Sequence, residues 1–230
     1  MNSTLYANFR NQVNNESNEQ IITYLFFPSI FIFKILLFST LSALAICKLQ
    51  KKPFVNPLLN KVDMCNKIHN AIGVGMKVIL NYNIMFFSLS QFHLHNEDHE
   101  LHSRIHNIFQ FMFLLEFIAY WYHRLSHEIQ FIYKNSHMIH HANIEVYPLD
   151  FLEFDYIDNV AQTMYINLPL YFVPMNINDY AIIYYFYATG AFLIHSDILT
   201  RDHMIHHRRF KYNYGLLFPI FDIIFKTYLY

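Results

Sequence analysis

The sequence predicts an all-α, polytopic membrane protein with four to five membrane segments and a cytoplasmic, histidine-rich helical cap. Three observations predict it. Hydrophobic residues make up 54% of the 230 positions and charged residues only 14%, against roughly 25% charged in an average soluble domain. Apolar runs near membrane-crossing length recur along the chain, separated by polar stretches. The 15 histidines, almost as many as the 16 lysines and arginines together, gather outside those runs. A formal net charge of −1 supplies no basic field for nucleic acid, and no nucleic-acid motif is present. Cys47 and Cys65 form no CxxC pair and no disulfide framework, which fits a reducing compartment or a membrane.

Residues 1–20 are polar and Asn-rich and lack the shape of a cleavable signal peptide, so they are expected to form a short mobile tail. Residues 21–104 are expected to hold the N-terminal spans and loops. Ile21 to Cys47 is almost wholly apolar and long enough to cross a bilayer, with Lys34 facing protein or snorkelling. Ala71 to Gln91 is a weaker second span, carrying Lys77, Asn81 and Asn83. Residues 105–230 are expected to form the catalytic domain, starting with a third span from Ile105 to Tyr122. Glu116 lies inside that span, where a carboxylate is costly without a partner. Two shorter apolar segments, Val160–Val173 and Tyr180–Ile194, flank Pro174 and read as a helical hairpin that dips in and returns. Lys48, Lys51, Lys52 and Lys61 after the first span put that loop in the cytoplasm under the positive-inside rule. Counting crossings from there brings every histidine box to the cytoplasmic side.

Three clusters have the spacing of metal ligands. They are His123-Arg-Leu-Ser-His127, His137-Met-Ile-His140-His141 and His203-Met-Ile-His206-His207. Residues three and four apart share a helix face, so each box can aim two or three imidazoles at one place. Imidazole suits iron, zinc and copper and binds in its neutral form. Any one of these histidines alone reads as an interfacial surface residue; eight in three spaced clusters do not. A fourth group, His93, His95, His99, His102 and His106, is as dense but lies across the membrane among Glu97, Asp98 and Glu100. It reads as a solvated polar loop, with an accessory metal site as the alternative. So many neutral ligands suit two ions better than catalytic zinc, which usually takes three protein ligands and a water. Glu128, Asp197 and Asp202 adjoin the boxes and are candidates for holding the outer N–H of a ligand imidazole, with an ordinary solvated charge as the alternative.

These residues resemble the fatty acid hydroxylase superfamily, in particular its sterol desaturase-like branch, over about residues 112–229. The resemblance runs from Glu116 through Tyr120-Trp121-Tyr122-His123-Arg124 and Tyr133-Lys134-Asn135-Ser136-His137 to His140-His141. It resumes at Ile194-His195 and His203–His207 and closes with Asn213-Tyr214-Gly215, Asp222, Phe225 and Thr227. It implies two iron ions held by His123, His127, His137, His140, His141, His203, His206 and His207, with His195 as a ninth ligand. It further implies a multi-pass protein of the endoplasmic reticulum that hydroxylates or desaturates a sterol or fatty-acyl lipid. Electrons would come from a separate b-type cytochrome and its flavin reductase. The chain departs from the family pattern at Asp155, at Leu199 and at Lys226, where histidine, histidine and glycine are common. Asp155 reads as a further candidate for holding a ligand imidazole's outer N–H or as a plain helix-end charge. The competing readings are a non-catalytic lipid- or metal-binding relative and, with ligands placed inside the spans, a metal transporter.

Overall fold

The structure, a computed structural model, describes the backbone of residues 18–89, 94–95 and 100–230, and the side chains of residues 27–85 and 100–230. Residues 1–17 of the tail expected at 1–20, and the side chains of His93, His95 and His99, lie outside the described residues. Residues 18–20 are not tail but the first turn of a helix.

The apolar segments of the sequence all become helix. Three long helices come first: α1 (Asn18–Leu49), α2 (Lys61–Leu89) and α3 (Leu101–Glu128). Among the described residues, one stretch, Phe27–Leu49 of α1, is long and apolar enough by itself to cross a membrane. The outer faces of all three helices carry large apolar side chains in the open. Phe33 and Phe38 on α1, Ile72 and Met76 on α2, and Phe109 and Phe113 on α3 are all more than half exposed. The two shorter apolar segments fold as α4 (Tyr156–Asn167), a 3-10 turn at Leu168–Tyr171, and α5 (Ile177–Leu193). They pack on α2 and α1 respectively and not as a closed hairpin against each other. Asp155 and Asn176 start these two helices by accepting the N–H groups of Tyr156 and Asn178, as short polar side chains do at helix N-termini. Two short helices follow, α6 (Asp202–Arg209) and α7 (Ile220–Ile224).

α1 packs on α2 and α5, and α2 packs on α4. Ile32, Tyr82, Phe111, Leu115, Tyr180 and Tyr184 meet at the centre of this bundle. Polar groups within it are paired across helices, as a low-dielectric interior requires. The Tyr82 hydroxyl donates to that of Tyr180 at 3.0 Å, which donates to Asn167 at 2.6 Å. Asn81 on α2 donates to the Asn159 side-chain oxygen on α4 at 2.7 Å. Glu116 finds its partners in the chain after α6, accepting the N–H groups of Leu216 and Leu217.

The two ends of the bundle differ. At one, backbone strands β1 (Leu94–His95) and β2 (Met175–Asn176) pair in parallel, and Arg104 grips Asp179 with two bonds of 2.9 and 2.7 Å. At the other, the Lys-rich loop after α1 meets the segments that carry the histidine boxes. The Leu149 N–H donates to the Phe54 carbonyl at 3.0 Å, and Lys52 pairs with Asp197 at 2.7 Å. Lys67 on α2 reaches both Asp150 and Glu153 just beyond the second box, the latter at 2.6 Å. Box side and Lys-rich loop therefore share one end of the molecule, as the positive-inside counting requires.

Asp150 is fully buried and Lys67 nearly so. Removing one member of such a group leaves an uncompensated charge, at a cost of ~3 kcal/mol or more. Lys67→Met should therefore lower the melting temperature of the detergent-solubilised protein by several degrees, while Lys67→Arg retains most of it. Identical melting of Lys67→Met and the wild type would refute the clamp.

Candidate metal centre

Each box is positioned by a different local device. The first rides on the last turns of α3, where His123 and His127 sit four residues apart on one face. The second begins in a π-helical turn, Tyr133–His137, and ends in a 3-10 turn, His140–Ala142. This widening and tightening of the backbone, common at functional sites, brings His137, His140 and His141 into the same site despite their uneven spacing. The third lies on α6, which stops where Phe210 takes a left-handed conformation (φ 58°). His195 follows α5 within one turn.

The structure brings all nine histidines together in two groups. His123, His127, His137, His141 and His206 form one; His140, His195, His203 and His207 form the other. Within each group one nitrogen per ring lies within 4.8 Å of all the rest. Among the described residues, His102 and His106 belong to neither. Adjacent residues divide: His140 and His141 serve different groups, and so do His206 and His207.

The hydrogen bonds fix which nitrogen of several rings carries its proton. A carbonyl can only accept, so a ring nitrogen bonded to one must be the N–H. His123 Nδ1 donates to Tyr214 O at 2.9 Å, His206 Nδ1 to Tyr212 O at 2.7 Å, His195 Nδ1 to Ala191 O at 2.7 Å and His207 Nδ1 to Asn143 O at 3.1 Å. His137 Nδ1 lies 3.0 Å from a carboxylate oxygen of Asp158. These five rings therefore present a bare Nε2 lone pair to the interior when neutral. Neutral they are. Burial, followed by the neighbouring His137, pushes His123 down to about 3. Burial pushes His195 down to about 4 against the pull of the Ala191 carbonyl. Burial and crowding by other imidazoles hold His127, His140, His141, His203, His206 and His207 below the ordinary range as well.

This arrangement fits a metal. The Nε2 atoms of His127, His141 and His206 are 3.0–3.1 Å apart. His203 Nε2 is 3.2 Å from those of both His195 and His207, and His195 is 3.4 Å from His140. Two nitrogens bound to a shared ion at about 2.1 Å each are roughly 3.0–3.4 Å apart at ordinary ligand angles. Ring-to-ring hydrogen bonding is a poorer account, because the buried Nε2 atoms of His123 and His137 have no partner at all. A cation satisfies them, and an all-imidazole donor set suits iron, zinc or copper.

The supporting carboxylate is not one of the four expected from the sequence. Asp155 caps α4, Asp197 pairs with Lys52, and Glu128 pairs with Arg124 one helical turn away. Asp202 accepts from the Tyr228 hydroxyl at 3.4 Å. None of them hydrogen-bonds an imidazole. Asp158 does: fully buried on the first turn of α4, it accepts from both His137 Nδ1 and the Tyr122 hydroxyl. Its only signal in the sequence is its position three residues after Asp155, which places it on the inward face once Asp155 is the cap.

The chain end closes the first group. Asp222 accepts the N–H groups of Tyr214 and Gly215 and the Thr227 hydroxyl, which sets the Tyr214 carbonyl over His123. A Cβ at Gly215 would lie 2.8 Å from the Asp222 carboxylate, so glycine is required there by contact. Beside the histidines is a cavity of ≈ 50 Å³, walled by His123, His137, His140 and His195 on one side and by Phe151 and Phe154 on the other. Phe151, Phe154, Gln162 and Tyr165 also line a second cavity of ≈ 40 Å³ between α1, α2, α4 and α5.

The chain belongs to the fatty acid hydroxylase family, whose model matches residues 108–227, over half of its length. Its similarity to named sterol desaturases puts it with the sterol desaturase-like branch. It is 31% identical over 135 residues to a Delta(7)-sterol 5(6)-desaturase of Gibberella zeae, covering 54% of this chain and 38% of the relative. Against a Delta(7)-sterol 5(6)-desaturase of Schizosaccharomyces pombe the figures are 28% over 127 residues, 51% of this chain and 38% of the relative. A very-long-chain aldehyde decarbonylase of Oryza sativa subsp. indica is 25% identical over 141 residues, 49% of this chain and 22% of that protein. The chain thus spans well under half the length of these relatives. No solved structure matches significantly.

Holding a ligand's outer N–H usually matters 10- to 100-fold for metal affinity. Asp158→Asn should therefore weaken metal retention by about that factor in a chelator competition monitored by elemental analysis, whereas Asp155→Asn should not. Equal retention by both variants would show that Asp158 does not orient His137.

Proposed function

We propose that this chain is a membrane-embedded, non-haem di-iron oxidoreductase that hydroxylates or desaturates a sterol or fatty-acyl lipid. One observation carries the reading: nine imidazoles from four separate segments converge in two groups beside an apolar cavity. His123, His127, His137, His141 and His206 would hold one iron, and His140, His195, His203 and His207 the other. Iron bound there would supply the dioxygen chemistry that breaks an unactivated C–H bond. The chain's own contribution is orientation and exclusion. Backbone carbonyls and Asp158 hold the outer N–H of five ligands, and Phe151 and Phe154 give the cavity an apolar wall that keeps water from competing with a lipid.

Residues 105–230 are the proposed catalytic domain, and residues 21–104 the N-terminal spans and loops. The exposed apolar faces of α1, α2 and α3 support a multi-pass placement with four to five membrane segments. Lys48, Lys51, Lys52 and Lys61 beside the boxes support a cytoplasmic orientation in the endoplasmic reticulum. A separate b-type cytochrome with its flavin reductase is the proposed electron source. A metal transporter is disfavoured because the histidine groups sit at one end of the bundle and form no path across it. A lipid-binding relic is disfavoured because both groups are complete.

The test is untargeted lipid mass spectrometry on eukaryotic cells expressing the wild type, His140→Ala or His102→Ala, with iron measured on each purified protein. A lipid that gains one oxygen or loses two hydrogens with the wild type and His102→Ala, and not with His140→Ala, is the expected result. Unchanged lipids together with no bound metal in the wild type would sink the enzyme reading.

A further inference from the structure

The second cavity is apolar on most sides, lined by Leu36, Val78, Tyr184 and Ala188 among others. Three polar side chains from one face of α4 interrupt it: Asn159, Gln162 and Thr163. The Thr163 hydroxyl is engaged, donating to the Asn159 carbonyl at 2.9 Å. The Asn159 side-chain oxygen is also engaged, accepting from Asn81. Its Nδ2 is not. Asn159 is 2% exposed, lines the cavity, and has no acceptor for either amide proton. A buried donor without an acceptor is costly and calls for a partner.

We propose that this inner cavity seats the substrate by one of its oxygen atoms, a hydroxyl or a carbonyl, which accepts a hydrogen bond from the Asn159 amide. The proposal rests on the lipid-oxidising reading and assigns a residue of this chain to the oxygen that sterols and fatty-acyl lipids carry. The donor sits one residue beyond Asp158, on the same rigid helix that orients His137. The two cavities share the Phe151, Phe154, Gln162 and Tyr165 walls. A lipid anchored at Asn159 and extending through that shared wall presents its hydrocarbon part to the histidines at a fixed remove. A plain hydrocarbon would fit the apolar lining but leave the amide unpaired. Sites built around a hydrogen bond reject analogues that lack the group far more strongly than apolar walls reject a missing methylene.

The experiment measures binding, not turnover, on the full-length iron-loaded protein in lipid–detergent micelles. A photoactivatable lipid is displaced by two matched pairs: a sterol against its 3-deoxy counterpart, and a fatty-acyl methyl ester against an alkane of equal length. The wild type should prefer the oxygen-bearing member of one pair at least tenfold, and which pair responds separates a hydroxyl from a carbonyl source. Asn159→Leu should erase that preference with iron content unchanged. Asn81→Leu, which removes the interhelical bond but leaves the donor, should keep it. If Asn159→Leu does not accumulate, the double variant Asn81→Leu/Asn159→Leu, with two leucines packed in place of the amide pair, takes its place. Absence of preference in both pairs, or a preference that survives loss of Asn159, overturns the proposal. Lipid oxidation in cells alongside indifferent binding would leave the oxidoreductase standing and remove this site. An Asn159-dependent preference without any oxidation would do the reverse.

Discussion

The structure depends on one electrostatic constraint: nine imidazoles share a water-poor interior, and burial there holds eight of them below the ordinary imidazole range. Crowded rings in a low-dielectric place cannot all be charged, and a neutral ring still has to place one N–H somewhere. For five of the nine the surrounding chain supplies that place. The carbonyls of Tyr214, Tyr212, Ala191 and Asn143 and the carboxylate of Asp158 each take one outer proton. Two of these acceptors are in turn held by something else. Asp222 fixes the Tyr214 loop, and the start of α4 fixes Asp158. The Nε2 lone pairs of those five rings face inward, and the convergence of the nine rings defines the site.

The sequence made the boxes legible because ligand spacing is a local property. Histidines three or four apart share a face whether the backbone is regular or, as at Tyr133–His137, widened into a π turn. His195 was legible only through the family resemblance, since a single histidine has no spacing to betray it. The division into two groups was not legible at all. His140 and His141 are neighbours in the chain yet face different groups, and the same is true of His206 and His207. Which ring goes where is decided by the approach of α3, α5 and α6, a tertiary matter.

Carboxylates were harder to read than histidines for a related reason. Asp155, Asp197, Asp202 and Glu128 adjoin the boxes in sequence or match family positions, but an acidic side chain takes whichever donor its backbone direction offers. Asp155 takes a helix N-terminus, Asp197 and Glu128 take surface cations, and Asp202 takes a tyrosine hydroxyl. Asp158 reaches His137 because α4 starts where it does. The apolar segments, by contrast, became helices where hydropathy placed them, since any long apolar run must satisfy its backbone internally.

Lys67 gives the domain boundary an unexpected character. It belongs to α2, well before the family segment begins at residue 108, yet its ammonium sits between Asp150 and Glu153 inside that segment. Glu153 in turn accepts from Asn143, whose carbonyl holds His207. The family segment is therefore not modular in this chain. Grafting it onto a different pair of N-terminal helices would carry over every histidine and still strand two acids without their counter-ion. Such a chimera would need a cation supplied at the equivalent height before the loop bearing the second box settled in register.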